Sequence, residues 1–384
     1  MTQGQPFQHI AAELRLYCGE DSLAALAKEL KRSGCRRAVL VSGRSVSRSP
    51  AMELLRVALG PALAGESHSV QPNSPVPAVE EVARVLREAS ADAVIAIGGG
   101  SAAVTARAAA ILLAEQKPAR ELCTRRLADG RFDSPRLDAP KLPQFVIPTT
   151  PSTAFVKAGS AVHEPESGQR LALFDPKTRA KALFLHPEFL RTAPAELIRE
   201  ATLNTLSTAV EALESPKCDP VSEAMLMHAL RLVARNLDRM EPGDIAAREY
   251  LGVAAVLCGR GTDQAGGGLS SVLAHAIGHR AHVSNGIVNA IVLPHTMRFN
   301  APATERTAPR IAESLCYGGA GPAADQLAAL LAGLPIPHRL RDIGIAEADL
   351  DAIAQAAMGD FFISRSPRPV QRVDEVHGIL AAAW

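Results

Sequence analysis

Apolar positions along this chain follow two rhythms, and the change from one to the other divides it near residue 186. Before that point short apolar runs alternate with stretches of helical spacing. Residues 22–33 (SLAALAKELKRS) carry apolar side chains at helical intervals and stop at Gly34. Arg37–Ser42 (RAVLVS) then predicts a buried parallel strand, Pro50–Leu59 a helix, Ser67–Val70 a second strand, and Val76–Ala89 a helix with Pro77 in its first turn. Ala93–Ile97 (AVIAI) predicts the next strand, which runs into Gly98, Gly99, Gly100 and Ser101 and an Ala-rich helix reaching about Leu113. Periodicity lapses from Gln116 to Pro143, a long loop. Gln144–Pro148 predicts one more strand, and Arg170–Leu185 a hairpin or two short strands around Asp175–Lys177. Strand and helix alternate as in a doubly wound parallel sheet.

After Pro187 the strands stop. Ala- and Leu-rich segments of helical length take over: Ala195–Glu214, Pro220–Met240, Ile245–Arg260, Leu269–His279, Gly286–Asn300, Ala323–Leu334 and Glu347–Met358. The expectation is an α/β nucleotide-binding domain over residues 1–186 and an all-helical domain over 187–384.

The stretch around Gly98–Ser101 is the first with chemical content. A strand that turns sharply into a helix needs backbone conformations closed to residues with a Cβ, and glycine also lets a ligand approach the main chain. The N–H groups of the helix's first turn and the positive end of its dipole then make an anion site, with phosphate the expected guest. A tight connection with no ligand is the alternative.

Composition narrows the classes. The chain has 384 residues, 47% hydrophobic and 21% charged, with 41 Lys+Arg against 40 Asp+Glu, so a large core fits and nucleic acid is not an expected partner. No apolar run approaches the roughly 20 residues that cross a bilayer, and Met1–Leu14 lacks a basic start and apolar centre, so the expected location is cytoplasmic with no membrane partner. The six cysteines, Cys18, Cys35, Cys123, Cys218, Cys258 and Cys316, form no C-x-x-C pair and are expected to be reduced thiols.

Four stretches, AIGGGS at 96–101, IPTT at 147–150, LNTLSTAVEAL at 203–213 and LAHAIGH through IVLPHTMRFN at 273–300, resemble the iron-containing alcohol dehydrogenase superfamily in order and rough spacing. IPHRLRDIGI at 336–345, SRSPRPV at 364–370 and the closing AAAW look most like its maleylacetate reductase branch. The resemblance implies a dinucleotide-binding N-terminal domain and a helical C-terminal domain, with nicotinamide and substrate in the cleft between them, and a homodimer. It assigns the cofactor pyrophosphate to Gly98, Gly99, Gly100 and Ser101, and the lining of the cofactor near its reactive end to Thr149, Thr150 and the following Ser152 and Thr153.

Departures from the family start just beyond these matches. Where the family commonly has glycines and an acidic residue after IPTT, this chain has Pro151, Ser152, Thr153, Ala154, Phe155 and Val156, side chains expected to crowd the backbone away from the cofactor. The aspartate common three residues after GGGS is Val104, and the usual lysine nearby is Arg107. At the end of RAVLVS, an acidic residue would accept hydrogen bonds from a ribose 2′-hydroxyl. Gly43 and Arg44 stand there instead, which favours NADP(H) over NAD(H).

Metal-dependent members place an Asp and a His four residues apart on one helix and add two further His. Aligned on VEAL and LAHAIGH, those positions are Asn204, Thr208, Ser271 and Asn285, none a good ligand for iron or zinc, so no catalytic metal is expected. His275 matches the family's retained histidine near the substrate; His279 follows one helical turn later and His282 shortly after, with only the distant Asp263 as an acidic neighbour in sequence. Metal binding by the His275/His279 pair, proton donation to a substrate carbonyl, and structural packing all remain open. Asn204 and Asn285 are candidate neutral hydrogen-bond donors, Lys157, Arg280 and Arg365 candidate cations for a carboxylate, and His295 a structural residue. The expected function is metal-independent, NAD(P)H-dependent reduction of a carbonyl or activated double bond in a small substrate, carboxylated ones included. A divergent lyase or cyclising enzyme and a non-catalytic binding protein are the alternatives.

Overall fold

The computed structural model describes residues 6–127, 131–281, 283–315 and 321–384. They fall into two compact units, one of Ala12–Pro194 and one of residues 6–11 with Ala195–Trp384.

The first unit is built on a six-stranded parallel sheet of β1 (Arg15–Cys18), β2 (Ala38–Ser42), β3 (Leu63–Ser67), β4 (Ala93–Gly98), β5 (Gln144–Pro148) and β6 (Ala180–Leu185), in the order β1-β6-β5-β4-β2-β3. The inner strands β2, β4 and β5 are largely apolar and buried along their whole length, as sheets covered on both faces require. Helices α1 (Leu26–Arg32), α2 (Ala51–Leu59), α3 (Val76–Glu88) and α4 (Gly100–Glu115) connect or flank them. Leu26, Met52, Leu55, Leu40, Ile95, Ile97, Phe145 and Phe184 share one buried cluster.

One strand expectation needs correction. The strand placed at Ser67–Val70 is Leu63–Ser67. It is an edge strand, half-buried over most of its length and paired only with β2, so it needs no apolar run to mark it. β1, the other edge, alternates half-buried and exposed residues over four positions and leaves almost no sequence signal. The two short strands expected in Arg170–Leu185 exist, yet they do not pair with each other. Gln169–Phe174 turns back onto Gly159–Glu164 as an antiparallel hairpin, whereas β6 enters the parallel sheet between β1 and β5. Asp175 divides them: its side chain accepts the Lys177 N–H at 2.9 Å and starts a short turn that sends the chain to another sheet.

The second unit is helical: α5 (Ala195–Glu214), α6 (Pro220–Asn236), α7 (Ile245–Ala265), α8 (Leu269–Ala281), α9 (Asn285–Asn300), α10 (Ala308–Leu315), α11 (Ala323–Ala332), α12 (Leu350–Ala357) and α13 (Val373–Ala383). Caps set several starts: Asp219 accepts from Val221 and Ser222 ahead of α6, Asp244 from Ala247 ahead of α7, and Ser284 from Ile287 ahead of α9. α9 crosses α5 so closely that a Cβ on Gly286 would run into the backbone carbonyl of Glu200. Among the described residues no helix is long and apolar enough to cross a membrane. Cys35 and Cys218 are buried thiols, pushed by burial up to about 11 and about 12, as inert structural cysteines should be.

Candidate active site

In the α/β unit the site begins where β4 ends. Gly98 has φ +143°, a conformation that side chains rarely adopt, and Gly99 is the extended N-cap of the 16-residue α4. Gly99 offers no capping side chain; Ala102 N–H donates to the Gly99 carbonyl at 3.0 Å, and the N–H groups of Gly100 and Ser101 are those the turn can offer an anion. The opposing wall is the IPTT stretch. Thr149 N–H donates to the Gly98 carbonyl at 3.0 Å; a Cβ on Gly99 would lie 3.0 Å from Thr150 Oγ1, and one on Gly100 only 2.7 Å from Ser152 Oγ. Ser152 sits in the hollow that Gly100 leaves, and its Oγ accepts the Ala154 N–H to cap the turn Thr153–Val156. Such a cradle fits the pyrophosphate of a dinucleotide.

Two groups that sequence reasoning undervalued hold this cradle. Ser74, at φ +50°, donates to the Ser101 carbonyl at 3.1 Å and accepts from Thr105 at 2.9 Å. Arg107, wholly buried, donates to the carbonyls of Ala154 and Gly159, both at 2.6 Å, and so ties α4 to both ends of the segment after IPTT. Burial, with Arg179 nearby, pulls its guanidinium down to about 9. At the end of β2, Gly43 is the extended N-cap of the turn Arg44–Ser47 and bridges to Ser69; the Arg44 side chain is exposed.

In the helical unit, α5 carries Asn204 and Thr208, α8 carries Ser271, and Asn285 opens α9. Each of these except Asn285 is engaged in a defined hydrogen bond. Thr208 Oγ1 donates to the Asn204 carbonyl at 2.7 Å, and Asn204 Oδ1 accepts from Asn289 Nδ2 at 3.1 Å. Ser271 Oγ donates to Glu211 at 2.6 Å, and Ser271 N–H to the same carboxyl at 2.8 Å. Asn285 Oδ1 lies 3.2 Å from where a Cβ on Gly278 would stand, so α8 passes close to it there. Glu211 is buried at the start of α8, and burial raises its carboxyl above the ordinary range, against the opposing hydrogen bonds from Ser271, Gly268 and Ser270. All four aligned positions hold neutral side chains. Among the described residues no group of three or more His, Cys, Asp and Glu comes together in a way that could hold a metal ion.

His275 lies on α8 one turn beyond Ser271, on the same face. Its Nδ1 stands 2.9 Å from Asp360 Oδ2, and its ring 6.1 Å from that of Phe362. Asp360 corrects the expectation that only distant Asp263 is acidic near these histidines. It is 85 residues away in sequence, and its one signal was nearness to the SRSPRPV stretch. The guanidinium of Arg365 lies 5.4 Å from the Phe362 ring, against Gly266. Arg280 is exposed and paired with Asp349. His279 follows one turn later in α8, and His282 lies outside the described residues. His295, within α9, is held below the ordinary imidazole range, mainly by burial and then by Arg298 and Arg339.

The chain thus joins an α/β unit with a glycine turn at the end of β4 to an all-helical unit. Residues 14–187 match the family described as iron-containing alcohol dehydrogenase, and residues 200–384 match the C-terminal part of the Fe-containing alcohol dehydrogenase family; the chain belongs to this family. It is 28% identical to the lactaldehyde reductase of Escherichia coli (strain K12) over 95% of this chain and 97% of that one. It is 29% identical to the maleylacetate reductase of Rhizobium sp. (strain MTP-10005) over 96% and 95%. The crystal structure of maleylacetate reductase from Agrobacterium tumefaciens superposes with a TM-score of 0.82 at 26% identity, covering 99% of this chain and 98% of that one. The maleylacetate reductase-like character of the C-terminal stretches agrees with these relatives.

Proposed function

We propose that the chain is an NAD(P)H-dependent reductase of a small carbonyl compound or activated double bond, and that it works without a catalytic metal. The observation that carries the second half is the donor set at the family's four ligand positions. Asn204, Thr208, Ser271 and Asn285 offer neutral oxygens, and the first three are already engaged within the fold. Neutral amide and hydroxyl oxygens do not hold a divalent transition metal against water. In this reading the dinucleotide supplies hydride when bound. Gly98, Gly99, Gly100 and Ser101 hold its pyrophosphate, with Thr149, Thr150, Ser152 and Thr153 along it, and Gly43 with Arg44 accommodates a ribose 2′-phosphate. His275 gives a proton to the developing alkoxide, and Asn204 and Asn285 stand near as neutral polar groups. Small-molecule substrates and a homodimer belong to the same proposal.

Fluorescence titration with NADPH and NADH tests it. Micromolar binding is expected, tighter for NADPH, and Gly99→Asp should abolish it, because the new side chain meets Thr150 and adds an anion at the phosphate site. A folded wild-type protein that binds neither nucleotide overturns the reading. Lactaldehyde and maleylacetate, which the relatives' names supply, are the first compounds to assay.

A further inference from the structure

Asp360 stands outside every motif that carries the family resemblance, yet it contacts the residue to which proton delivery is assigned. Its two oxygens divide their work. Oδ1 accepts the Phe362 N–H at 2.8 Å, which makes Asp360 the N-cap of the turn Phe361–Arg365 and fixes the carboxylate in place. Oδ2 is then directed at His275 Nδ1, 2.9 Å away. An ionised carboxylate only accepts hydrogen bonds, so the proton of this contact belongs to Nδ1 of the imidazole. Both side chains keep about a fifth of their surface exposed, 20% for His275 and 19% for Asp360, so the ring is within reach of a small molecule.

We propose that Asp360 is a positioning residue for His275: by holding the proton on Nδ1 it makes Nε2 the atom that gives a proton to the substrate and takes it back from solvent. The inference rests on the assignment of reductase activity above. In the step itself the carbonyl carbon takes hydride, with its electron pair, from the bound dihydronicotinamide, while the carbonyl oxygen takes the Nε2 proton of doubly protonated His275. The products are an alcohol, an oxidised nicotinamide, and a neutral His275 that keeps Nδ1–H on Asp360. Nothing else is consumed.

The test reads the tautomer directly. Long-range ¹H–¹⁵N correlation spectra of protein labelled in histidine, with the His275 signals assigned by their loss in His275→Gln, should show Nδ1 protonated and Nε2 bare in the neutral wild type. In Asp360→Asn the amide can donate to Nδ1, so the tautomer should switch to Nε2–H, and Asp360→Glu should restore the wild-type pattern. An Nε2–H wild type, or an unchanged tautomer in a folded Asp360→Asn variant, overturns the inference. On a substrate that the wild type reduces, Asp360→Asn should lower kcat at least tenfold and change the NADPH dissociation constant less than twofold. Equal loss in both overturns the positioning role. If the tautomer behaves as expected while His275→Gln turns over normally, the assignment of His275 as proton donor falls, and the proposal with it.

Discussion

The α/β unit and the helical unit carry out their parts of the chemistry with different materials. At Gly98–Ser101 the groups proposed to meet the cofactor are backbone N–H groups, and they persist whatever happens to neighbouring side chains, provided the strand still turns into α4. Val104, Arg107 and Val156 all depart from the family's usual residues there, and the turn keeps its form with Arg107 bonded to carbonyls. On α5, α8 and α9 the family's chemistry depends on side-chain atoms. Asn204, Thr208, Ser271 and Asn285 are neutral there, while the helices remain. A site made of backbone tolerates drift, whereas a site made of side chains is remade by it.

Two substitutions should separate the units sharply. His275→Gln removes the proposed proton donor and is expected to lower reductive turnover by about 10²–10⁴-fold with nucleotide affinity nearly unchanged. Gly99→Asp should remove nucleotide binding and leave the His275–Asp360 contact intact. Steady-state kinetics beside fluorescence titration reads the first variant, and titration beside the histidine ¹H–¹⁵N spectrum the second; a loss of nucleotide affinity in His275→Gln, or a changed His275 tautomer in Gly99→Asp, would break the division. The next effect is on stability. Gly286→Ala drives a methyl group into the Glu200 carbonyl, a backbone atom that cannot turn aside, and should destabilise the fold by about 3 kcal/mol in urea denaturation. A loss below about 1 kcal/mol would mean that α9 shifts away from α5 easily.

The same contrast explains what the sequence disclosed. Strands buried on both faces, such as Ala93–Gly98 and Gln144–Pro148, announce themselves as apolar runs, and the long helices as periodic ones. The edge strands Arg15–Cys18 and Leu63–Ser67 do not, because half of each is solvated. The glycine turn was legible since its chemistry lies in four consecutive residues. Asp360 was not, since the pair with His275 is made by two segments 85 residues apart, and no local pattern records that distance. The place of Ser152 was not legible for a related reason: that it packs beside Gly100 depends on a residue across the gap.

A smaller effect concerns pH. Glu214 ends α5 almost wholly buried; burial, with Glu211 adding to it and the Asn300 hydrogen bond opposing it, pushes its carboxyl up to about 8 from an ordinary 4.5. The folded chain therefore keeps this proton up to about pH 8, while the unfolded chain releases it near 4.5. Its contribution to stability is complete below pH 4.5 and is lost as pH rises from there to 8. Glu214→Gln can still accept from Asn300 and carries no proton to lose. The variant should gain about 1–3 kcal/mol over wild type at pH 8 and nothing at pH 4.5, measured by denaturation at both values. A constant difference across that range would place the group near its ordinary pKa.

The smallest expected effect bears hardest on the comparison. Dialysis against EDTA should leave the melting temperature within about 1 °C and the NADPH affinity unchanged, since a ligand that binds the folded state adds stability only when it is present to be removed. Family members with an Asp and three His at these positions give a metal four strong ligands; here Ser271 points its hydroxyl at Glu211, and Asn204 accepts from Asn289. A drop of several degrees that added zinc or iron(II) reverses would mean that neutral oxygens on α5, α8 and α9 do recruit an ion. The helical unit would then have changed its ligands while keeping its metal, and the proton assigned to His275 would compete with Lewis-acid catalysis for the same role.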